Sequence, residues 1–343
     1  MMKLWRQDHL RDSIRSERVK AVMEFGFSEP QARFLLHVLI FSGVFIERQY
    51  RACTGVSHGQ RTKDFLETLV GRRYATAITP GKLHRGRLFH VHYKPLYEAI
   101  GEANNRHRRP ASTGRFVERL MLLDAVLADR AHSWLGTERD KVAYFDDAFD
   151  DHYKLYYPQL RFRQDTEHTI RSSPDKLPIA VARHDGRHLF LYLVSHRVPS
   201  DFRAFLVRHV DLLRVVDEWT IRILVPRRFW NSVALHRFAI RDTYIKRLTP
   251  ADVEEFDWFC RTRRGQTTEP DPYYRLNLAT ASRKFGSARF RALERIWEQG
   301  GKSALWSFQS DHLLEKFRLR RGQIRFVQIP HQYLQLTPLI GVA

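Results

Sequence analysis

The chain has 343 residues, more than one hydrophobic core usually organises, so two or three domains are expected. Hydrophobic residues at 43% and charged residues at 28% argue against a disordered or fibrous protein. Lys and Arg number 58 against 38 Asp and Glu, a formal charge of +20, which points to a polyanion rather than a small acidic metabolite.

Cys53 and Cys260 are the only cysteines, too few for a disulfide framework or a zinc ribbon, so a reducing cytoplasm is the expected compartment, and the expected polyanion partner puts the chain on the nucleoid there. Residues 1–17 mix both charge signs without the apolar stretch of a secretory signal. The longest apolar run, Phe34 to Ile46, is broken by His37 and Ser42 and is too short to span a bilayer. No membrane partner is expected.

No segment repeats at a fixed period. The polar stretch Asn104 to Thr113 and the turn-rich Gly265 to Pro272 read as joints, which gives three parts, 1–103, 104–248 and 249–343. Residues 1–115 carry 21 Lys and Arg against 10 Asp and Glu, or +11, and the other 228 carry 37 against 28, or +9. Positive charge is densest at the front.

In the first part Ser28 is followed by Gln31 at capping-box spacing, with Pro30 in the first turn and Phe34, Leu35, Val38 and Leu39 at helical intervals. That predicts a helix over 29–41, ended by Gly43. A short helix over 47–53 and a Thr54-Gly55 turn follow. A second capping box, Ser57 with Gln60, is expected to open a third helix that buries Thr62, Phe65, Leu66, Leu69 and Val70. Residues 75–79 and 88–93 read as strands, and the loop 80–87 between them carries Lys82, His84, Arg85 and Arg87.

This is the pattern of a winged helix-turn-helix. A third helix packed through one face can lay the other in a major groove, where Gln and Arg match adenine and guanine edges. Ser57, His58, Gln60, Arg61 and Lys63 are the candidate recognition-helix contacts. Lys82, His84, Arg85 and Arg87 are the candidate wing contacts, which neutralise phosphate and set register without reading sequence. A winged helix can also grip a protein instead of DNA, so an adaptor is the competing reading.

The second part opens with an apolar helix near 116–127. Asp146, Asp147, Asp150 and Asp151 lack the glycine turn and periodicity of a calcium loop and read as a solvated helix face. From Leu177 the grammar becomes strand (178–183), Asp185-Gly186 turn, strand (189–195), a helix capped by Ser200, and strand (219–225). This is a mixed α/β layer. The third part offers a Pro-started helix through Phe259, a long polar connection, a helix near 288–299 and a strand-like run 324–329, a small α/β extension whose aromatics read as core.

Other chemistry is thinly signalled. His90-Val91-His92 puts two imidazoles on one side of a strand with His84 nearby, but no carboxylate or thiol completes a zinc site in sequence. Phosphate-loop, hydrolase-elbow and zinc-protease motifs are missing from the sequence. No catalytic residue, metal or cofactor is assigned. The clusters Arg106–Arg109, Arg261–Arg264 and Arg318–Arg321 read as surface that could extend a phosphate track.

The pattern of residues 28–93, with Arg48-Gln-Tyr-Arg-Ala-Cys-Thr-Gly-Val-Ser57 leading into the third helix, together with the hairpin, helix and strand of 177–225, resembles the replication-relaxation type of protein of plasmids and integrative conjugative elements. The resemblance is architectural and covers about two thirds of the chain. It implies an α+β protein whose amino-terminal domain binds double-stranded DNA, through Gln60, Arg61 and Lys63, and whose second domain has a restriction-endonuclease-like fold that often lacks its active site. A working site of that fold needs a carboxylate near the end of the first strand and a Glu-x-Lys pair on the second. Leu189 to His196 contains neither acid nor lysine. A diverged metal-dependent nuclease would have to recruit carboxylates from outside the usual strand, for instance Glu167 or Asp175. The expectation is therefore a non-catalytic DNA-binding regulator of a mobile element, with a symmetric homodimer as the arrangement that would read paired half-sites.

Overall fold

The computed structural model describes residues 12–78, 87–148, 157–164, 167–172, 177–265, 274–286, 288–307 and 311–333. The fold is α+β. In chain order the front runs α1 (Ser16–Met23), α2 (Glu29–Phe41), β1 (Val44–Ile46), α3 (Glu47–Thr54), α4 (Gln60–Gly71), β2 (Ala75–Ile78) and β3 (Leu88–Val91). Then come α5 (Lys94–Ala99), α6 (Thr113–Ala128), β4 (His132–Leu135), α7 (Glu138–Ala148), β5 (Gln159–Gln164), β6 (Glu167–Ser172), β7 (Ile179–Ala182) and β8 (His188–Leu193). The remainder is α8 (Ser200–Val215), β9 (Trp219–Val225), α9 (Val233–Ile240), α10 (Pro250–Arg263), α11 (Tyr274–Phe285), α12 (Ala288–Ser307), α13 (Asp311–Arg318) and β10 (Gly322–Gln328). Among the described residues no helix is long and apolar enough to cross a membrane.

The chain groups into two compact units, 1–148 with 176–193 and 327–343, and 149–175 with 194–326. The stretch read as a joint at Asn104–Thr113 lies inside the first unit, where His107 is buried and its carbonyl meets His90 Nε2 at 3.1 Å.

In the first unit the Ser28 box forms, with the Gln31 carboxamide accepting from the Ser28 amide at 2.9 Å. Gly43, at φ +71°, ends the turn after α2, and a Cβ there would sit 2.4 Å from the His107 carbonyl oxygen, so only glycine fits. β1, β3 and β2 form an antiparallel sheet in that order, with Phe45 opposite Phe89 and Ala77 opposite Phe89 on the other side. β4, β7 and β8 pair antiparallel, Trp134 opposite Ala180 and Ile179 opposite Phe190. β7 and β8 are buried along their whole length, as their largely apolar sequence requires, with His188 of β8 buried among them. The hairpin between them turns at Gly186, φ +70°. Asp140, at the start of α7, is buried between Ser13 Oγ at 2.6 Å and the buried Arg18 guanidinium at 2.9 Å, tying α1 to α7.

In the second unit α8 buries Phe202, Phe205, Leu206, Val210 and Leu213. It starts at Ser200 itself, with Pro199 in the cap position and no capping hydrogen bond, so the expected serine cap does not form. β9 lies beside β10, and the Trp219 indole within β9 is fully buried and donates to the Leu213 carbonyl at 2.9 Å. β5 and β6 make an antiparallel hairpin. Part of the connection expected after Phe259 is the helix α11, which buries Ala281 and Phe285, the latter ring against Phe256 and Phe290.

Candidate nucleic-acid interface

α4 is held from behind by an aromatic cluster. The Phe65 ring stacks on Tyr50 with centroids 4.1 Å apart and planes 13° apart, while Phe27 at 6.0 Å and Phe34 at 6.3 Å meet it edge-to-face and Phe45 lies tilted at 6.3 Å. Thr62, Phe65 and Leu69 are buried as expected, whereas Leu66 is half-buried and Val70 is exposed. The correction follows from helix geometry. At 100° per residue Val70 lies about 110° from the middle of the buried stripe, outside the packed face.

α3 is fixed by a polar network that carries no local sequence signal. The buried Gln49 carboxamide donates to the Leu120 carbonyl and to Asp124 Oδ1, both at 2.9 Å, and to the Tyr333 hydroxyl at 3.0 Å. Arg48 donates to both Asp124 oxygens at 2.8 and 2.9 Å, and to Tyr333 at 2.8 Å. Tyr333 in turn donates to Asp124. Burial, and after it the adjacent Asp124 carboxylate, push the Tyr333 hydroxyl well above its ordinary range, which keeps it a donor.

The turn between α3 and α4 differs from expectation. The Ser57–Gln60 capping box does not form: Gly59 occupies the cap position, and the Gln60 carboxamide donates forward to Asp64 Oδ1 at 2.6 Å. The competing partner sits one helical turn ahead and wins the side chain. Thr62 Oγ donates back to the Ser57 carbonyl at 3.0 Å, and His58 Nδ1 lies 2.6 Å from Glu47 on α3. Ser57, His58, Gln60, Arg61 and Lys63 are all exposed. Two of them are committed, His58 to Glu47 and Gln60 to Asp64. Arg61 and Lys63 make no ion pair with any described residue, so their charge meets solvent.

Of the wing candidates, Arg87 is exposed just ahead of β3, and Lys82, His84 and Arg85 lie outside the described residues. The Arg261–Arg264 cluster is consumed internally: Arg261 pairs with Asp257 at 3.0 Å, Arg263 with Glu294 at 3.1 Å, and Arg264 with Glu298.

The histidines of β3 have protein partners. His90 is buried with Nε2 on the His107 carbonyl, and His92 Nε2 lies 2.9 Å from Thr76 Oγ. Burial lowers the His90 pKa, so the ring is neutral near pH 7. Among the described residues no group of three or more His, Cys, Asp or Glu is placed to hold a metal. Asp185 sits in the hairpin turn, 3.1 Å from His184 and accepting the Arg187 amide at 3.0 Å. On β8 the polar side chain His188 is buried against Tyr144 and Phe145. Asp175 lies outside the described residues, and Glu167 opens β6.

No family model, curated protein or solved structure matches this chain. The functional reading rests on its own residues.

Proposed function

We propose that this chain is a double-stranded DNA-binding protein without catalysis of its own, acting through a winged helix-turn-helix in residues 29–91, while the sequence pattern of 177–225 is nuclease-like but lacks the metal ligands of a working site. Its role, as the resemblance would imply, is regulation of transcription, replication or transfer on a mobile element. One observation carries the reading: α4 is locked through Phe65 while Arg61 and Lys63 project into solvent without described acidic partners. The order α2, β1, α3, α4, β2, β3, with β3 between β1 and β2, supports it, because it is the chain order of a winged helix-turn-helix.

The test is fluorescence anisotropy with random and genomic duplexes across a salt series. Affinity should fall steeply with salt, Arg61→Ala should lose discrimination between sequences, and Arg85→Ala should weaken all duplexes alike. Footprints spaced by one helical turn would indicate a homodimer on paired half-sites. Duplex affinity unchanged in both variants overturns the assignment. Plasmid cleavage in Mg²⁺ that Asp175→Ala abolishes overturns the non-catalytic part. Stable co-purification of a protein partner by a chain that binds no duplex at low salt identifies an adaptor.

A further inference from the structure

The second unit carries a surface that the duplex reading does not use. Residues 227–247 hold six Lys or Arg and a single acid, Asp242, which is taken by Arg203 at 2.6 Å. A 3₁₀ turn (Arg227–Ser232), α9 and a π turn (Arg241–Ile245) make one continuous helical run. Its inward side is Ser232, His236, Ala239 and Thr243, all buried. From Trp230 the positions Ala234, Phe238, Arg241 and Ile245 recur every three or four residues and line the outward side. Phe238 keeps 60% and Trp230 42% of its surface in solvent. The Arg203 guanidinium backs the Phe238 ring at 6.0 Å, and exposed Arg237 crosses the Phe326 ring of β10 at 5.5 Å. Exposed aromatic rings interleaved with exposed guanidinium groups form the ridge.

We propose that this ridge binds single-stranded nucleic acid, with bases stacked on Trp230 and Phe238 and phosphates on Arg237 and Arg241. Every base has a π face, and a cationic track beside aromatic platforms is the chemistry that holds unpaired strands without reading sequence. Eight residues at helical rise separate the rings by about 12 Å, so each takes a different base. A duplex hides its base faces in the stack and would leave both rings in water. A second copy docked symmetrically would set these arginines against themselves. A membrane-surface helix segregates its cations from its apolar side, whereas Arg241 lies between Phe238 and Ile245.

The probe is a fluorescein-labelled twelve-nucleotide oligothymidylate, titrated with the full chain at low salt. Trp230→Ala and Phe238→Ala should each lose about tenfold in affinity or more. Phe238→Tyr should retain binding, and Phe238→Leu, equally apolar but without a π face, should not. Arg237→Ala with Arg241→Ala should flatten the salt dependence. The double variant Arg61→Ala, Lys63→Ala should bind the oligonucleotide like the parent, so this ridge and the duplex reading fail separately. Unchanged affinity in Trp230→Ala with Phe238→Ala, at unchanged circular dichroism, overturns the proposal. So does full activity of Phe238→Leu, or a ridge-dependent interaction with phosphatidylglycerol vesicles in a chain that ignores the oligonucleotide.

Discussion

The cationic faces of α4 and α9 differ in the company their charges keep. On α4 the aromatic residue points inward, and Arg61 and Lys63 stand among Ser57, Gln60 and Asp64, all exposed and polar. On the run through α9 the polar Ser232 and Thr243 point inward, and rings share the outer side with Arg237 and Arg241. A net charge of +20 would be satisfied by either kind of surface. The neighbours of each cation, rather than the total, separate a face suited to groove edges and phosphates from one suited to unpaired bases.

The sharpest way to break that contrast is to delete one ring from each face. Phe65→Ala removes a ring from the centre of a packed cluster and should cost about 3–5 kcal/mol in urea unfolding, with loss of duplex binding. Phe238→Ala removes a mostly exposed ring and should cost no more than about 1 kcal/mol, the worth of its contact with Arg203. Similar losses from the two substitutions would mean that α9 is packed like α4 and carries no ridge.

Next in size is Asp140→Ala. Burial alone would raise this carboxyl's pKa, but hydrogen bonds from Arg18, Ser13 and Thr137 outweigh it and hold the pKa below the usual value. Removing the acid leaves the Arg18 guanidinium buried and unpaired by its main partner, at a cost of about 3 kcal/mol or more. In the parent this stabilisation is present above the unfolded-state pKa and is lost as pH falls through the lower folded-state value. A smaller step comes from binding. Arg61→Ala should cost about 1–3 kcal/mol on the preferred duplex, and Lys63→Ala should reduce the salt slope by about one contact without changing sequence preference. Neither should alter oligothymidylate affinity.

Local signals made the front of the molecule legible. The Ser28 box, Gly43 and the spacing of Thr62, Phe65 and Leu69 each act over a few residues, and each is where the sequence puts it. Signals that depend on distant partners were not legible. β4 is only His-Ser-Trp-Leu and becomes a strand by pairing with β7, about fifty residues on in sequence. The Ser57 box lost Gln60 to Asp64, a choice that spacing alone does not decide. Tyr333 reaches Asp124 across 209 residues, with no motif at either end. The ridge escaped for a different reason. Large aromatic residues such as Trp230 and Phe238 carry no mark of function in the sequence, and only their exposure sets them apart.

The smallest expected effect compares the units through their buried histidines. His90 in the first unit and His236 in the second are both buried, and burial lowers the pKa of each below the ordinary 6.5, against the raising effect of a backbone hydrogen bond, to the His107 and Ser232 carbonyls respectively. The folded state therefore binds fewer protons than the unfolded state just below pH 6.5, and stability must fall as pH drops through that value. Between pH 7.5 and 5.5 each ring can contribute at most about 1.4 kcal/mol of loss. His90→Gln keeps a donor where Nε2 stands, and His236→Asn keeps one where Nδ1 stands, so each should remove its share of the pH dependence while preserving the hydrogen bond. Urea titrations at the two pH values check this, and the duplex and oligothymidylate affinities of the two variants show which unit the acid loosens. If His90→Gln preserves duplex binding at pH 5.5 while His236→Asn preserves oligothymidylate binding, the two faces answer to separate cores. A single variant that protects both would tie them to one cooperative transition, and the contrast between α4 and α9 would then be one of surface chemistry alone.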